Sequence, residues 1–270
     1  MDETKEAPRS PSEPTGSPEK APRGVVRIVG WAPSGTRETD DVTALAAMVA
    51  DPDTQVWVDL IDPQSDVVKS IASVLGLHPL IVEDIAERNE RAKVATYDGV
   101  IHVVLFDLDY RGEVRPAEID LVLGNHFLLS VRSTDSELEA KVPMRDGIGP
   151  VLAKGPDFLL YMIADHVVDG YFPVLDRLAD EIDELQDRVV AAPSDWTLQR
   201  LFVLKRELLA IRRATSPARE VLNQLTNRDL TVIAPDHIIY FRDVYDHLIR
   251  VTDELDNYRE LVSGTLDIYL

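Results

Sequence analysis

The stretch "VLDRLADEIDELQDRVV" (174–190) determines how the second half of this chain folds. Its apolar residues recur at alternating spacings of three and four, at Leu175, Leu178, Ile182, Leu185 and Val189. This spacing places them on one face of an α-helix, and Asp and Glu residues fill the other faces. The stretch therefore predicts a long amphipathic helix with a coiled-coil-like seam.

A second helix with the same periodicity follows a turn at "AAPSDW" (191–196). Its apolar positions are Leu198, Leu201, Leu204, Leu208 and Ile211. Because the turn is short, the spans 156–190 and 195–228 are expected to form a long antiparallel helical hairpin. Pro173 and Pro217 lie inside these spans and predict kinks or short breaks.

The sequence then predicts one long stalk helix at residues 236–270. Its apolar stripe consists of Ile238, Phe241, Tyr245, Leu248, Val251, Leu255, Tyr258, Val262 and Leu266. At ~1.5 Å per residue such a helix is about 50 Å long. The segment "SGTLDIYL" (263–270) has no basic last turn, closing glycine or proline, so we expect the natural helix to continue further.

The first half of the chain predicts a mixed α/β domain, which we assign to residues 24–155. Strands are expected at 24–32 and 54–62, and helices at 41–50, 66–77 and 79–87. The runs 93–110, 117–125 and 126–133 are separated by turn residues and predict an antiparallel meander. The fold class is α+β: a mixed sheet, a helical hairpin over 156–235 and the stalk helix. Residues 1–23, rich in Pro, Ser and Glu, predict a disordered tail.

The composition excludes several classes of function. A formal net charge of −20 argues against binding to nucleic acid or to anionic lipid, because both need clustered Lys and Arg. Zero cysteines exclude disulfides and thiolate metal sites. No run reaches the ~18 apolar residues of a membrane span, so this part of the chain is expected to be soluble. Motifs of common hydrolases, phosphate loops and dinucleotide-binding loops are absent, so we expect a protein that is not an enzyme.

Acidic residues stand beside apolar packing positions at three places. They are Glu83 and Asp84 on the short helix after "GLHP", Asp165 with Asp169 at a spacing of four, and Asp243 in "YFRDVYDH" (240–247). Mg²⁺ takes oxygen ligands and typically uses only one or two protein carboxylates, so carboxylates brought together by folding or assembly suffice for a site. The alternative is that these acids are solvated or form salt bridges, with Arg91, Arg242 and Arg250 as candidate partners.

The sequence resembles the CorA magnesium transporters. The resemblance rests on "VWVDLIDPQSDVVKSIASVLGLHPLIVEDI" (56–85), on "RAKVATYDGVIHVVLF" (91–106) and on three helical segments in the same order. Those segments are "FLLYMIADHVVDGYFPVLDRLADEIDELQDRVV" (158–190), "LKRELLAIRRATSPAREVLNQL" (204–225) and "YFRDVYDHLIRVTDELDNYRELVSGTLDIYL" (240–270). As a set they cover nearly all of residues 54–270.

The resemblance implies a fold, an assembly and a set of metal ligands. The fold is an α/β/α layered domain on the cytoplasmic face of the inner membrane, followed by the hairpin and a stalk helix that leads to two membrane helices not included in this chain. Five copies would surround the pore axis. Asp84 would face Asp243 of a neighbouring subunit across a regulatory Mg²⁺ site, and Glu83 and Asp165 would contribute to an adjoining site. Co²⁺, Ni²⁺ or Zn²⁺ are the other candidate cations.

Three alternatives stay open. The first is a zinc transporter domain of the related ZntB branch. The second is a soluble helical scaffold whose acidic hairpin binds a basic partner protein through Asp180, Glu181, Asp183, Glu184 and Asp187. The third is a carboxylate-metal hydrolase, which would need these acids in one pocket of one subunit. A scaffold should end in a capped helix, whereas a transporter sequence should continue into hydrophobic segments.

Overall fold

The structure is a computed structural model that describes residues 24–88, 91–110, 112–134, 136 and 147–269. The tail predicted at residues 1–23 lies outside the described part of the chain. The α+β class and the mixed sheet predicted from the sequence are confirmed. The division of the chain into an α/β domain, a hairpin and a stalk stays a prediction. One continuous core includes sheet residues such as Val103 and helix residues such as Leu178 and Leu248.

A seven-stranded sheet forms the centre of the described residues, in the order β2-β1-β3-β7-β6-β5-β4. The strands are β1 (Val25–Ala32), β2 (Gly35–Thr39), β3 (Gln55–Ile61), β4 (Lys93–Tyr97), β5 (Val100–Tyr110), β6 (Val114–Leu123) and β7 (Phe127–Arg132). Strands β4 to β7 form the predicted antiparallel meander. Strand β7 then pairs in parallel with β3, with Val58 opposite Leu129.

Both faces of this sheet are covered, which explains why most residues of its central strands are buried and why Val, Ile and Leu are frequent among them. On β3, Trp57 packs into the core on one face, and Val56 and Val58 pack into the core on the other. The resulting helix–sheet–helix arrangement is the α/β/α layering that the family resemblance implied.

Three helices cover the second face: α1 (Val42–Ala50), α2 (Ser65–Leu75) and α3 (Pro79–Glu87). The Asp41 carboxylate caps α1 by accepting a hydrogen bond from the backbone N–H of Thr43. Gly76 ends α2 in the left-handed conformation, with φ at 65°, which glycine adopts readily. Pro79 occupies the first turn of α3, where its missing N–H leaves no donor unsatisfied.

The other face is covered by α4 (Ile148–Leu152), α5 (Pro156–Asp169), α6 (Tyr171–Ala191), α7 (Asp195–Leu225) and α8 (Ile238–Tyr269), with a short 3₁₀ turn at Pro235–His237. The five seam residues of α6 are all buried, which confirms the predicted packing face. An Arg200–Glu181 ion pair joins α6 to the returning helix α7. The α8 helix packs along both of them.

A helix break occurs close to Pro173 but not at Pro217. The break in the 156–190 span lies at Gly170, and Pro173 sits in the first turn of α6, where proline is tolerated. Pro217 lies inside α7, which runs without interruption from Asp195 to Leu225. The expected break at Pro217 is therefore absent, and α7 packs against α8 and against β4, β5 and β6.

Helices α5 and α6 run in the same direction as α8. Three hydrogen bonds connect them at nearly constant sequence separation: Asp157 with His237, Asp169 with His247, and Gln186 with Thr265, at separations of 80, 78 and 79 residues. This alignment brings acidic positions of α5 beside acidic positions of α8.

One window within residues 156–191 is long and apolar enough to span a membrane, judged by length and composition alone. Its mean hydropathy is 1.3, and 56% of the window is buried inside the fold. In this structure its apolar side chains pack against β3, β5, β6, β7 and α8, as those of a core helix do.

Candidate metal centre

Helix α3 presents Glu83 and Asp84 away from the core. Ile81 and Ile85 are buried against the sheet, so Glu83 and Asp84, which lie between them in the sequence, are outside the packed face of the helix. Glu83 is exposed, whereas the Asp84 side chain is only 29% exposed.

Asp84 is held in a polar chain that continues into the sheet. Lys93 Nζ, at the start of β4, lies 2.7 Å from Asp84 Oδ2, and His102 Nδ1 lies 3.8 Å from the same oxygen. The other ring nitrogen of the fully buried His102 lies 2.8 Å from Asp120 Oδ1. Burial raises the pKa of Asp120, and the hydrogen bond with His102 opposes that shift. The carboxylate of Asp84 therefore has a cationic partner within its own subunit.

A second acidic group lies where α5 runs beside α8. His247 Nδ1 lies 3.0 Å from Asp169 Oδ1, and His247 Nε2 lies 3.8 Å from Asp243 Oδ2. One ligand atom from each of Asp165, Asp169 and His247 lies within 4.8 Å of the others, close enough to share one metal ion. We call Asp165, Asp169, Asp243 and His247 the α5–α8 cluster.

The electrostatics of the α5–α8 cluster favour a bound cation. Burial raises the pKa of Asp165, and the carboxylates of Asp169 and, to a smaller extent, Asp243 raise it further, against the opposing effects of His166 and His247. Burial also raises the pKa of the neighbouring Tyr161 hydroxyl, and Asp165 and Asp243 add to that shift. A cation bound between these carboxylates would remove the repulsion that causes part of these shifts.

The donor atoms determine which cations fit. Carboxylate oxygens suit Mg²⁺, and the imidazole of His247 additionally suits Co²⁺, Ni²⁺ and Zn²⁺. The Asp243 side chain is 67% exposed, so its carboxylate is accessible to a metal ion shared with another molecule.

The structure brings together only part of the predicted ligand set. Asp165 and Asp243 belong to one cluster on α5 and α8, whereas Glu83 and Asp84 lie on α3 beside β4. Sequence reasoning missed Lys93, His102 and Asp120, because no local spacing connects the three strands that position them. It offered Arg91, Arg242 and Arg250 as candidate salt-bridge partners of the acids. In the structure Asp84 forms a salt bridge with Lys93, and Arg250 lies over the ring of Phe172 at 5.4 Å.

Comparison with known proteins decides the family. The family model described as "CorA-like Mg2+ transporter protein" matches residues 52–270. The chain belongs to the CorA family. A curated relative, the cobalt/magnesium transport protein CorA of Thermotoga maritima, is 34% identical over 255 residues, which cover 91% of this chain and 72% of the relative.

Solved structures agree on the fold of this CorA chain. The soluble domain of CorA from Methanocaldococcus jannaschii superposes with a TM-score of 0.73 at 19% identity, covering 90% of this chain and 96% of that one. The ZntB cytoplasmic domain from Vibrio parahaemolyticus superposes with a TM-score of 0.69 at 15% identity, covering 91% and 97% respectively. The fold is therefore shared with this ZntB cytoplasmic domain as well as with the CorA soluble domain.

Proposed function

We propose that this chain is the cytosolic regulatory domain of a CorA-type magnesium channel or transporter, located on the cytoplasmic face of the inner membrane. The domain would sense intracellular Mg²⁺ at carboxylate sites between the subunits of a homopentamer and thereby gate the pore. The observation that supports this most directly is the geometry of the α5–α8 cluster, in which ligand atoms of Asp165, Asp169 and His247 lie within 4.8 Å of one another beside the exposed Asp243.

Electrostatics explain how such a site would act. Two ionised carboxylates about 4 Å apart repel by about 4 kcal/mol at an effective dielectric constant of about 20. A divalent cation between Asp84 of one subunit and Asp243 of its neighbour converts that repulsion into attraction, and Glu83 and Asp165 would supply oxygens to an adjoining site. Loss of several such contacts around a ring would shift a closed–open equilibrium toward the open state. Intracellular Mg²⁺ would in this way close its own entry path.

Family membership supports this function over the scaffold and hydrolase alternatives, since the matched model describes transporters. The deciding experiment is limited proteolysis of the chain with MgCl₂ and with chelator, on the wild type and on Asp243→Ala. We expect Mg²⁺ to protect the wild type and to protect the variant much less. Asp253→Ala is the matched control, since it removes an exposed carboxylate from the same helix outside the cluster. Equal protection of wild type and Asp243→Ala would refute the assignment.

A second candidate is zinc transport as in the ZntB branch, and the observation that favours it is His247 beside Asp169 in the α5–α8 cluster. Titration calorimetry with ZnCl₂ and MgCl₂ separates the two functions. Under the zinc function, His247→Asn weakens Zn²⁺ binding at least tenfold and leaves Mg²⁺ binding unchanged, whereas His166→Asn changes neither. If the wild type binds Mg²⁺ but not Zn²⁺, the zinc function is wrong.

A further inference from the structure

We propose that Lys93 is a tethered cation that competes with Mg²⁺ for Asp84 and so sets the Mg²⁺ concentration at which the domain responds. This inference rests on the proposed function, since it assigns Asp84 to a Mg²⁺ site. Lys93 is not itself a metal ligand, but it would control the Mg²⁺ concentration at which the site is filled.

The geometry places the lysine charge directly on the carboxylate that is proposed to bind the cation. Lys93 Nζ lies 2.7 Å from Asp84 Oδ2, and both side chains are 29% exposed. Lys93 is held at this position because β4 pairs with β5, with Lys93 opposite Val104. The pair therefore forms within one subunit and needs no neighbour.

The two carboxylates of the proposed intersubunit pair have different surroundings. Asp243 is 67% exposed, and its Oδ2 lies 3.8 Å from the imidazole of His247. Asp84 is half-buried and contacts a primary ammonium group at hydrogen-bonding distance. The ammonium group of Lys93 consequently competes with Mg²⁺ at Asp84 and not at Asp243.

The chemistry of lysine suits such a competitor. Its ammonium group is a compact charge with three donors at the end of a flexible four-carbon stem, so it can neutralise a carboxylate and still swing away when a stronger cation arrives. Because it is tethered, it acts at a constant effective concentration, which free Mg²⁺ must exceed. A lysine that stays nearby also repels the divalent ion, and both effects raise the required Mg²⁺ concentration.

The test compares Mg²⁺ titrations of the 270-residue chain, of four lysine variants and of Asp84→Asn alone and combined with the neutral Lys93 substitution. The midpoint of MgCl₂-induced assembly is followed by sedimentation velocity. Removal of one positive charge beside a bound divalent cation is expected to lower the midpoint by about tenfold in Lys93→Met. Lys93→Arg keeps the charge and should stay near the wild-type midpoint. Lys69→Met removes an exposed lysine from α2, with the same change in net charge, and should also stay near it. Lys93→Gln provides a second neutral variant if Lys93→Met fails to fold.

The outcomes separate this inference from the function on which it rests. The inference is supported if the midpoint falls in Lys93→Met or Lys93→Gln but not in Lys69→Met. The additional substitution Asp84→Asn should then abolish the lowering of the midpoint. If Asp84→Asn abolishes the response to MgCl₂ but the neutral Lys93 variants have an unchanged or higher midpoint, the inference is overturned and the proposed function stays intact. A wild type that shows no response to MgCl₂ overturns the proposed function, and the inference with it.

Discussion

Arg132 on β7 donates two hydrogen bonds to the carboxylate of Asp59 on β3, with lengths of 3.3 and 3.0 Å, and both side chains are only 2% exposed. The Ser130 hydroxyl donates a further hydrogen bond of 2.6 Å to the same carboxylate. This buried ion pair joins the two parallel strands at the centre of the sheet. It therefore stabilises the one strand pairing that links the first part of the sheet to the meander.

Removal of the Asp59 carboxylate should destabilise the fold strongly. In Asp59→Ala, Arg132 keeps its charge inside the sheet and loses its bidentate partner, so we expect a loss of about 3–5 kcal/mol in the free energy of unfolding. Urea denaturation measures this loss. The control is Glu38→Ala, which breaks the more exposed Arg27–Glu38 pair and should cost about 1 kcal/mol or less. Equal losses in the two variants would contradict the structural role assigned to the buried pair.

The hydroxyl of Tyr171 connects the helical layer to the sheet. This fully buried side chain donates a 2.5 Å hydrogen bond to the backbone carbonyl of Phe106 on β5, and burial raises the pKa of the phenol. Tyr171→Phe removes the donor and keeps the ring, so we expect a loss of about 1 kcal/mol in urea denaturation. The matched control is Tyr245→Phe, since the Tyr245 hydroxyl has no hydrogen bond to another described residue. An equal effect in both variants would show that the hydroxyl of Tyr171 does not stabilise the interface.

Asp165 should make the domain less stable as pH rises. Its pKa is raised in the folded state, first by burial and then by Asp169. The folded protein therefore binds the proton more tightly than the unfolded chain, whose Asp has a pKa of about 3.9. The stability contributed by the protonated form is present below that value and is lost as pH rises through the folded pKa. We expect Asp165→Asn to raise the melting temperature at pH 7 and to lose this advantage at pH 4.

The control for this prediction is Asp253→Asn, which removes an exposed carboxylate of α8 and should not show the same dependence on pH. The melting temperatures are measured with chelator present, so that no bound cation masks the repulsion. If Asp165→Asn lowers the melting temperature at pH 7, the carboxylate stabilises the fold through its contacts, and the prediction that burial and neighbouring carboxylates make it destabilising is wrong.

Much of the fold was predictable because local patterns determine it. The seam of α6 and the stripe of α8 follow helical spacing, and most of the strands and the short helices were expected near their observed positions. Strand β2 was missed because nearly all of it is exposed at the edge of the sheet, so it has no alternation of apolar and polar residues. Helix α4 was missed because it has five residues, two of which are Gly149 and Pro150. The parallel pairing of β3 with β7 joins residues about 70 positions apart and has no local signal.

The candidate site was predictable only in part, for the same reason. The spacing of Asp165 and Asp169 identified one face of α5, and Asp243 was a candidate ligand on α8. Their approach to each other depends on the parallel alignment of α5 and α8, which periodicity does not specify. The contact of Lys93 with Asp84 depends in turn on where β4 docks beside α3. Residue type and spacing thus identified the acidic residues, whereas the residues that they contact are determined by the tertiary structure.

The proposed intersubunit sites are tested by sedimentation velocity of this chain in MgCl₂ and then in chelator, with Asp84→Asn and Asp243→Asn measured in parallel. The proposed intersubunit Mg²⁺ sites predict a reversible shift from monomer toward pentamer in Mg²⁺, and they predict that either substitution greatly weakens the shift. A wild-type chain with the same sedimentation coefficient in both buffers, or variants that respond as the wild type does, would contradict the account.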